Sequence, residues 1–565
     1  MKMDKLQRKA CIVFSLISIL FSFFCITGRK LAESGNIIWD KAWTGKCVSL
    51  SLVCGILMGV ILGLLLFKKR EVKAEKNEPK AEKFPLPSAG KCFFLSWGLL
   101  LLAWLPVYLA YFPGIGAYDF IVQLEQIDLG VYNEHHPLIH TLMVEFFYDM
   151  GCMWNNPTLG IAIYSFCQLL VFSGSFAVAV FACKYLNIKK HWIIILQVYA
   201  MFMPFNGYMA VSITKDVYFT AFMMIQTISL AVILAEDNRQ LKMRFWDMIL
   251  FFSSVGMILF RNNGRYALAV AIVFVFAAVI FGKLRRKLYL RILLNFAASF
   301  IVGSVLLAAL MNVTGAQQGD RREMLSMPIQ QLARTMVYHG GVGVLGEDDN
   351  AMAEADKLLI NEFILEEAYK DYRPEISDPV KKYTNTYVFV YRMKDFMKTY
   401  LGLFSQYPGD FVNAALAVNA GYLYPGDETH AYVNVNNRDT GLGYIQTRWL
   451  TDEILKMGIR QESKWPWLFE KLEQFADANA YLKIPVLKWI LVPGVYLWLC
   501  LFISAWFWLR GQKKELIVFA IFLGYFITLL LGPTVQLRYI YPIMVILPFV
   551  TACFGNTKLK EESEQ

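Results

Sequence analysis

Asp119 is the first acidic residue of a segment, Phe112 to Pro157, that holds six Asp and Glu residues but no Lys or Arg. It follows the turn-rich stretch Pro113-Gly114-Ile115-Gly116, next to the end of an apolar block. A carboxylate at a membrane boundary is poorly solvated and suits a general base. The structural alternative is an N-cap, with Asp119 opening a helix that includes Gln123 and Gln126. Further on, His135, His136 and His140 fall within six positions. Imidazoles together with Asp119 or Glu134 are the donor types of a divalent-metal site. The spacing matches no strong metal motif, and Pro137 at a helix start makes His136 a capping position and His140 a first-turn residue. Metal binding, substrate hydrogen bonding and capping all stay open.

Four cations belong with these residues. Lys215, in Ser212-Ile213-Thr214-Lys215-Asp216, Arg261 and Arg265 around Asn262-Asn263-Gly264, and Arg538 in the run GPTVQLRY all fall at ends of apolar blocks. A cation placed in hydrocarbon costs about 3 kcal/mol on insertion scales, so it takes a partner. One reading pairs Lys215 with Asp216 and sets the arginines against lipid phosphates. The other gathers all four as an anion pocket for phosphate or pyrophosphate, Arg by its planar fork and Lys by its compact charge.

The elements that position them are membrane helices. The 565-residue chain is 57% hydrophobic and only 18% charged, against roughly 25% charge in soluble proteins. Its apolar residues lie in long blocks of membrane-crossing length. The pattern predicts an all-α polytopic membrane protein with about twelve transmembrane helices, near 11–27, 46–67, 93–111, 158–183, 191–205, 212–235, 246–261, 264–282, 292–312, 485–508, 515–533 and 537–555. The net charge of +10 sits in short gaps between these blocks, as orientation signals do, and argues against a nucleic-acid partner. Lys68 to Lys91, Lys184 to Lys190, Arg239 to Arg244, Lys283 to Arg291 and Arg510 to Lys514 are then cytoplasmic, as are both termini. Residues 112–157 and 313–484 lie outside. Arg29, Lys30 and Lys41 fit this rule less well. The first apolar block follows Lys2, Lys5, Arg8 and Lys9 without a convincing cleavage site and reads as a retained signal anchor.

The domain plan is a helix pair (1–67), a charged low-complexity linker (68–92), a transmembrane core (93–312), an outer domain (313–484) and a C-terminal helical segment (485–565). The outer domain reads as mainly helical over 321–338, 351–369 and 383–405, with an irregular region from Gly421 to Asn437. None of the ten cysteines lies between Val313 and Lys483, which speaks against a disulfide framework or cysteine zinc site there. Gln330, in the polar-apolar stretch from Glu323 to Arg334, is a candidate contact of a helix packed over the pocket. Tyr422 and Tyr424 are candidates for stacking on sugar rings or for interfacial anchoring. No glycine-rich phosphate cradle marks a cytoplasmic nucleotide site.

The blocks PGIGAYDFIVQ, HHPLIHTL, SITKDV, RNNGRY, LSMPIQQLAR and GPTVQLRYIYP resemble a bacterial family within or near the GT-C superfamily of membrane glycosyltransferases. The likeness covers most of residues 93–555 and not the first two spans. It implies a GT-C-like fold in the bacterial plasma membrane and transfer of a sugar from a polyprenyl-phosphate carrier to an extracytoplasmic cell-envelope acceptor. A lipid-linked-glycan flippase and a non-catalytic envelope assembly protein are the other classes. By this resemblance Asp119 takes the place of the catalytic loop carboxylate, helped by His135 or His136. Lys215, Asp216, Arg261, Arg265, Arg538 and Gln330 then line the substrate and phosphate site. Phe120 follows Asp119 where the superfamily often has a second acid, so the resemblance does not decide the divalent-metal requirement.

Overall fold

In the computed structural model the chain is helical, with only two two-residue strands among the described residues. These are residues 3–67, 86–235, 243–282, 285–319, 323, 325–341, 352–426, 452–477 and 483–555. The linker 68–92 therefore lies largely outside them, as do most of the gap 239–244 and of the irregular region after Tyr424.

The helices are α1 (Lys5–Ser34), α2 (Lys41–Leu66), α3 (Ala89–Ala110), α4 (Tyr118–Leu129), α5 (Leu138–Met153), α6 (Pro157–Tyr185), α7 (Lys190–Phe202), α8 (Pro204–Val211), α9 (Lys215–Ala235), α10 (Met243–Phe260), α11 (Asn262–Phe281) and α12 (Arg286–Thr314). Among the described residues, eight helices are long and apolar enough to cross a membrane. The other four expected spans take different forms. The pair α7 and α8 is bent by 56° at Met203–Pro204, and Phe245–Phe260, Gly494–Leu509 and Leu516–Leu530 are shorter apolar helices. The expected span 485–508 is broken between Ile490 and Gly494, where Pro493 interrupts it.

α9 is the most enclosed membrane-length helix, with 89% of its apolar window buried. It packs between α6, α10 and the last helix, Leu537–Gly555. The common core draws Phe172 and Phe176 from α6, Phe219 and Met223 from α9, and Tyr541 and Phe549 from the last helix. The polar segment builds a separate core. Ile329, Leu332 and Met336 of α13 (Ser326–His339) meet Ile360, Phe363, Phe396 and Phe411. These come from the segments around α14 (Glu354–Asn361), α15 (Met393–Gln406) and α16 (Pro408–Val418), so the helical expectation there is met. This unit covers the end of the bundle at which α9, α11 and the last helix begin. Ser377 N–H donates to the Pro533 carbonyl at 2.9 Å, and Asn419 Nδ2 donates to the Leu530 carbonyl at 3.0 Å.

α1 and α2 form a tight pair through Gly55, Gly59 and Gly63, which put three bare backbone positions on one face. A Cβ on Gly59 would lie 2.2 Å from Ser15 Cα, and one on Gly55 2.4 Å from Ile19 Cα. Small residues at four-residue spacing allow this backbone approach in membranes. Gly59→Leu is expected to push the two helices apart. Overpacking of this kind costs about 1–3 kcal/mol and lowers the thermal midpoint in detergent. Gly98→Leu, with nothing within 4 Å of its Cβ, is expected to leave the midpoint unchanged.

Candidate functional site: a buried acid–cation cluster

Two short strands bring the first reactive segments together. Strand β1 (Ile115–Gly116) pairs in parallel with β2 (Ser212–Ile213), Ile115 facing Ser212 and Gly116 facing Ile213. Helices α4 and α9 start two residues beyond each strand, so the register sets their first turns side by side. Asp119 and Asp216 sit in those first turns, where the helix dipole favours a negative charge. Arg261 is the single residue between α10 and α11, in extended conformation as the N-cap of α11. Arg538 is the second residue of the last helix. Four helix starts therefore supply one cluster.

The contacts are close and buried. Lys215 Nζ donates to Asp119 Oδ2 at 2.7 Å, and Arg538 Nη1 donates to the same oxygen at 2.8 Å. The Arg538 guanidinium also reaches Asp216 Oδ2 at 3.2 Å, while Arg261 Nη1 donates to Asp216 Oδ1 at 2.5 Å. Lys215 also donates to His136 Nδ1 at 2.8 Å. Arg538 Nε is held by Gln536 Oε1 at 2.7 Å. The Tyr539 ring lies 4.7 Å from the Arg261 guanidinium and 4.8 Å from that of Arg538. Side-chain exposure runs from 0% at Asp216 to 12% at Lys215. Burial pushes the Asp119 carboxyl up, but Arg538, Lys215 and His136 outweigh it and hold the group well below the usual carboxylate range. Asp119 is therefore an anion, and a weak base while both cations stay on it.

The N-cap expectation for Asp119 is corrected. Ala117 is the N-cap of α4 and makes no side-chain cap bond; the carboxylate points to Lys215 and Arg538 instead. The pairing of Lys215 with Asp216 is likewise replaced by Lys215 with Asp119. Of the expected site residues, Asp119, His136, Lys215, Asp216, Arg261 and Arg538 converge. Three others stay apart. His135 is exposed, with its ring 4.7 Å from that of His136. Arg265 comes a full helical turn after Arg261 and lies over the Tyr266 ring at 5.4 Å. Gln330 belongs to the separate polar unit, where it donates to the Arg373 carbonyl at 2.5 Å. Gln536 and Tyr539 had no role assigned from the sequence; their position beside Arg538 in GPTVQLRY is the signal that points to them.

The histidines divide by role. His140 is fully buried, with Gln123 Oε1 2.9 Å from Nδ1 and the Tyr164 hydroxyl 2.7 Å from Nε2. Gln123 in turn donates to Thr141 at 2.8 Å. This network ties α4, α5 and α6 together behind the cluster. Because Lys215 donates to His136 Nδ1, the proton of that neutral ring is on Nε2. Among the described residues no group of three His, Cys, Asp or Glu side chains is placed to hold a metal.

Both buried rings carry a pH signature. Burial, then Lys215, pushes His136 down to about 2 and His140 down to about 3. The unfolded chain takes up these protons near the ordinary value of 6.5, whereas the folded chain does not. The two rings thus stabilise the fold fully above about pH 6.5, and that contribution is lost as pH falls towards their folded values. The slope is up to about 1.4 kcal/mol per pH unit for each ring. Thermal midpoints measured at about pH 6.5 and about pH 5 are expected to fall accordingly, and His140→Gln to remove close to half of the slope. Asp119 adds nothing in this window, because its depressed value withdraws stability only below the ordinary 3.8.

A helical bundle with several membrane-length apolar helices and a buried ion cluster at one end defines a membrane protein with an internal charged site. The chain belongs to a family described as of unknown function (DUF6020), which matches residues 126–565. No characterised protein and no solved structure shows significant similarity to it.

Proposed function

We propose that the protein is a membrane glycosyltransferase of GT-C type that moves a sugar from a polyprenyl-phosphate carrier to a cell-envelope acceptor outside the cytoplasm. The observation that carries this reading is the convergence of Asp119, Lys215 and Arg538, three charged side chains from distant segments, at one end of an apolar bundle. Lipid phosphates reside at that level of a bilayer. The orientation supports it too. Lys184, Arg285 and Lys514 lie at the opposite ends of the helices from the cluster, and cytoplasmic ends are the basic ones. The cluster end then faces outwards, in the plasma membrane of a bacterium, with both termini inside.

In this reading the donor phosphate takes over the cations that Asp119 now holds. Lys215 and Arg538 neutralise charge as it accumulates on the departing phosphate, which is the largest electrostatic demand of the reaction. Asp119, released from both, rises in basicity and accepts the proton of the acceptor hydroxyl as that oxygen attacks the anomeric carbon, giving inversion. Asp216, fixed by Arg261, keeps the Arg538 fork in place. His136 positions Lys215 through its Nδ1 lone pair, so it serves as a positioning residue and not as the base. The test is transfer in proteoliposomes containing the purified protein, envelope acceptor and polyprenyl-phosphate sugars extracted from the producing strain. Release of free polyprenyl phosphate only when protein and acceptor are both present is the expected result. No release at any protein concentration would contradict it.

A further inference from the structure

The polar unit and the connector between α1 and α2 enclose a concavity of about 530 Å³. Three half-buried aromatic rings, Trp39, Tyr338 and Tyr407, line it with His339, Asp410 and Asn413. Its polar groups are fixed by neighbours. His339 Nε2 lies 2.7 Å from Asp410 Oδ2, and the His339 ring lies 5.0 Å from that of Tyr407. Trp39 Nε1 donates to Asn413 Oδ1 at 2.8 Å, and Asn413 Nδ2 donates to Asn36 Oδ1 and to the Ile37 carbonyl. Arg334, fully buried behind the wall, grips the connector through Asn36 Oδ1 at 2.8 Å and the Gly35 carbonyl at 3.2 Å. The concavity is thus built on held side chains from two parts of the chain.

We infer that this cleft is a saccharide-binding site, selective for neutral oligosaccharides. Sugar rings present apolar C–H faces that pack on aromatic surfaces, and edges of hydroxyls that need planar acceptors and donors such as a carboxylate, an amide and an imidazole. All these groups line one cleft, and its size suits a short oligosaccharide. Asp410 sets the sign: a carboxylate accepts hydroxyls and repels an anionic ligand. The cleft therefore differs in chemistry from the cation cluster. The two sites are physically linked, since α16 begins at Pro408 and Asp410 in the cleft and ends at Asn419 on the Leu530 carbonyl. Leu530 ends the helix before the loop that leads into the last helix and its Arg538. Eleven helical residues span roughly 16 Å, a few sugar units, so the cleft suits a remote part of an extended glycan.

The experiment titrates the full-length protein in nanodiscs with maltotetraose, cellotetraose, chitotetraose and mannotetraose, followed by saturation-transfer NMR, with tetragalacturonate as the anionic probe. At least one neutral tetrasaccharide is expected to bind, and Trp39→Ala and Asp410→Asn each to weaken it tenfold or more. Lys215→Ala leaves that binding unchanged. Tyr407→Ala, at a half-exposed ring, gives a second variant that spares the buried network, and thermal midpoints report folding of all four. No binding by any neutral probe, preference for the anionic probe, or full affinity in well-folded Asp410→Asn and Tyr407→Ala would overturn the site. Binding without sugar transfer would remove the transferase reading alone, and transfer without binding would remove this inference alone.

Discussion

Asp119→Asn is expected to abolish sugar transfer and at the same time to tighten phosphate binding. The first effect follows from removing the carboxylate that touches both Lys215 and Arg538; loss of a positioned general base lowers turnover by about 10²–10⁴. The second follows from competition. In the wild-type site a phosphate has to displace an internal anion from two buried cations at contact distance. An amide of the same shape holds them less firmly. Affinity for inorganic phosphate or polyprenyl phosphate should then rise about tenfold or more, equivalent to about 1.4 kcal/mol. A merely structural ion pair predicts the opposite, because its loss loosens the pocket and weakens every ligand. Measuring the phosphate dissociation constant beside the transfer rate separates the two cases.

Arg538 has the second largest expected effect. Its guanidinium contacts both carboxylates, Asp119 at 2.8 Å and Asp216 at 3.2 Å. Arg538→Ala removes a cation from a buried network and leaves Asp119 to Lys215 and Asp216 to Arg261, a loss of about 3–5 kcal/mol in comparable networks. Arg538→Lys restores the charge but lacks both the planar fork and the Nε–H that donates to Gln536, so it cannot span both acids. Transfer is expected to fall by more than about a hundredfold in the alanine variant. The lysine variant should recover stability far more than rate. Equal recovery of both in the lysine variant would show that Arg538 acts as a point charge only.

The charged residues of the cluster were legible in the sequence because each stands in apolar surroundings, where a charge needs a partner. Which partner each takes was not. Lys215 and Asp119 are 96 positions apart and Arg538 and Asp119 are 419 apart, and nothing local specifies such pairs. The parallel pairing of Ile115–Gly116 with Ser212–Ile213 is too short to leave a periodic pattern, yet it sets the two acids side by side. Arg265 shares the composition signal of Arg261 but not its place, since α11 starts between them and carries Arg265 a turn away. His135 and His136 are neighbours in the chain, yet only His136 turns inwards. The number of spans was read from apolar blocks, and those blocks correspond to helices, but a proline break at Pro204 or Pro493 makes hydropathy a poor guide to whether a block is one crossing. The glycine repeat of α2 is a signal that reading apolar blocks passes over, although its four-residue spacing underlies the packing of α1 on α2.

The central claim is that one site, built on Asp119, Lys215 and Arg538, consumes a polyprenyl-phosphate-linked sugar. Its most direct test is to quantify lipid-linked sugars and envelope glycans in the producing strain lacking the protein, complemented either with the wild-type chain or with Asp119→Asn. The account predicts that the deletion and the Asp119→Asn strain both accumulate one polyprenyl-phosphate sugar and both lose that sugar from the envelope, while the wild-type chain reverses the two changes together. Unchanged pools in the deletion strain, or full restoration of the glycan by Asp119→Asn, would contradict it.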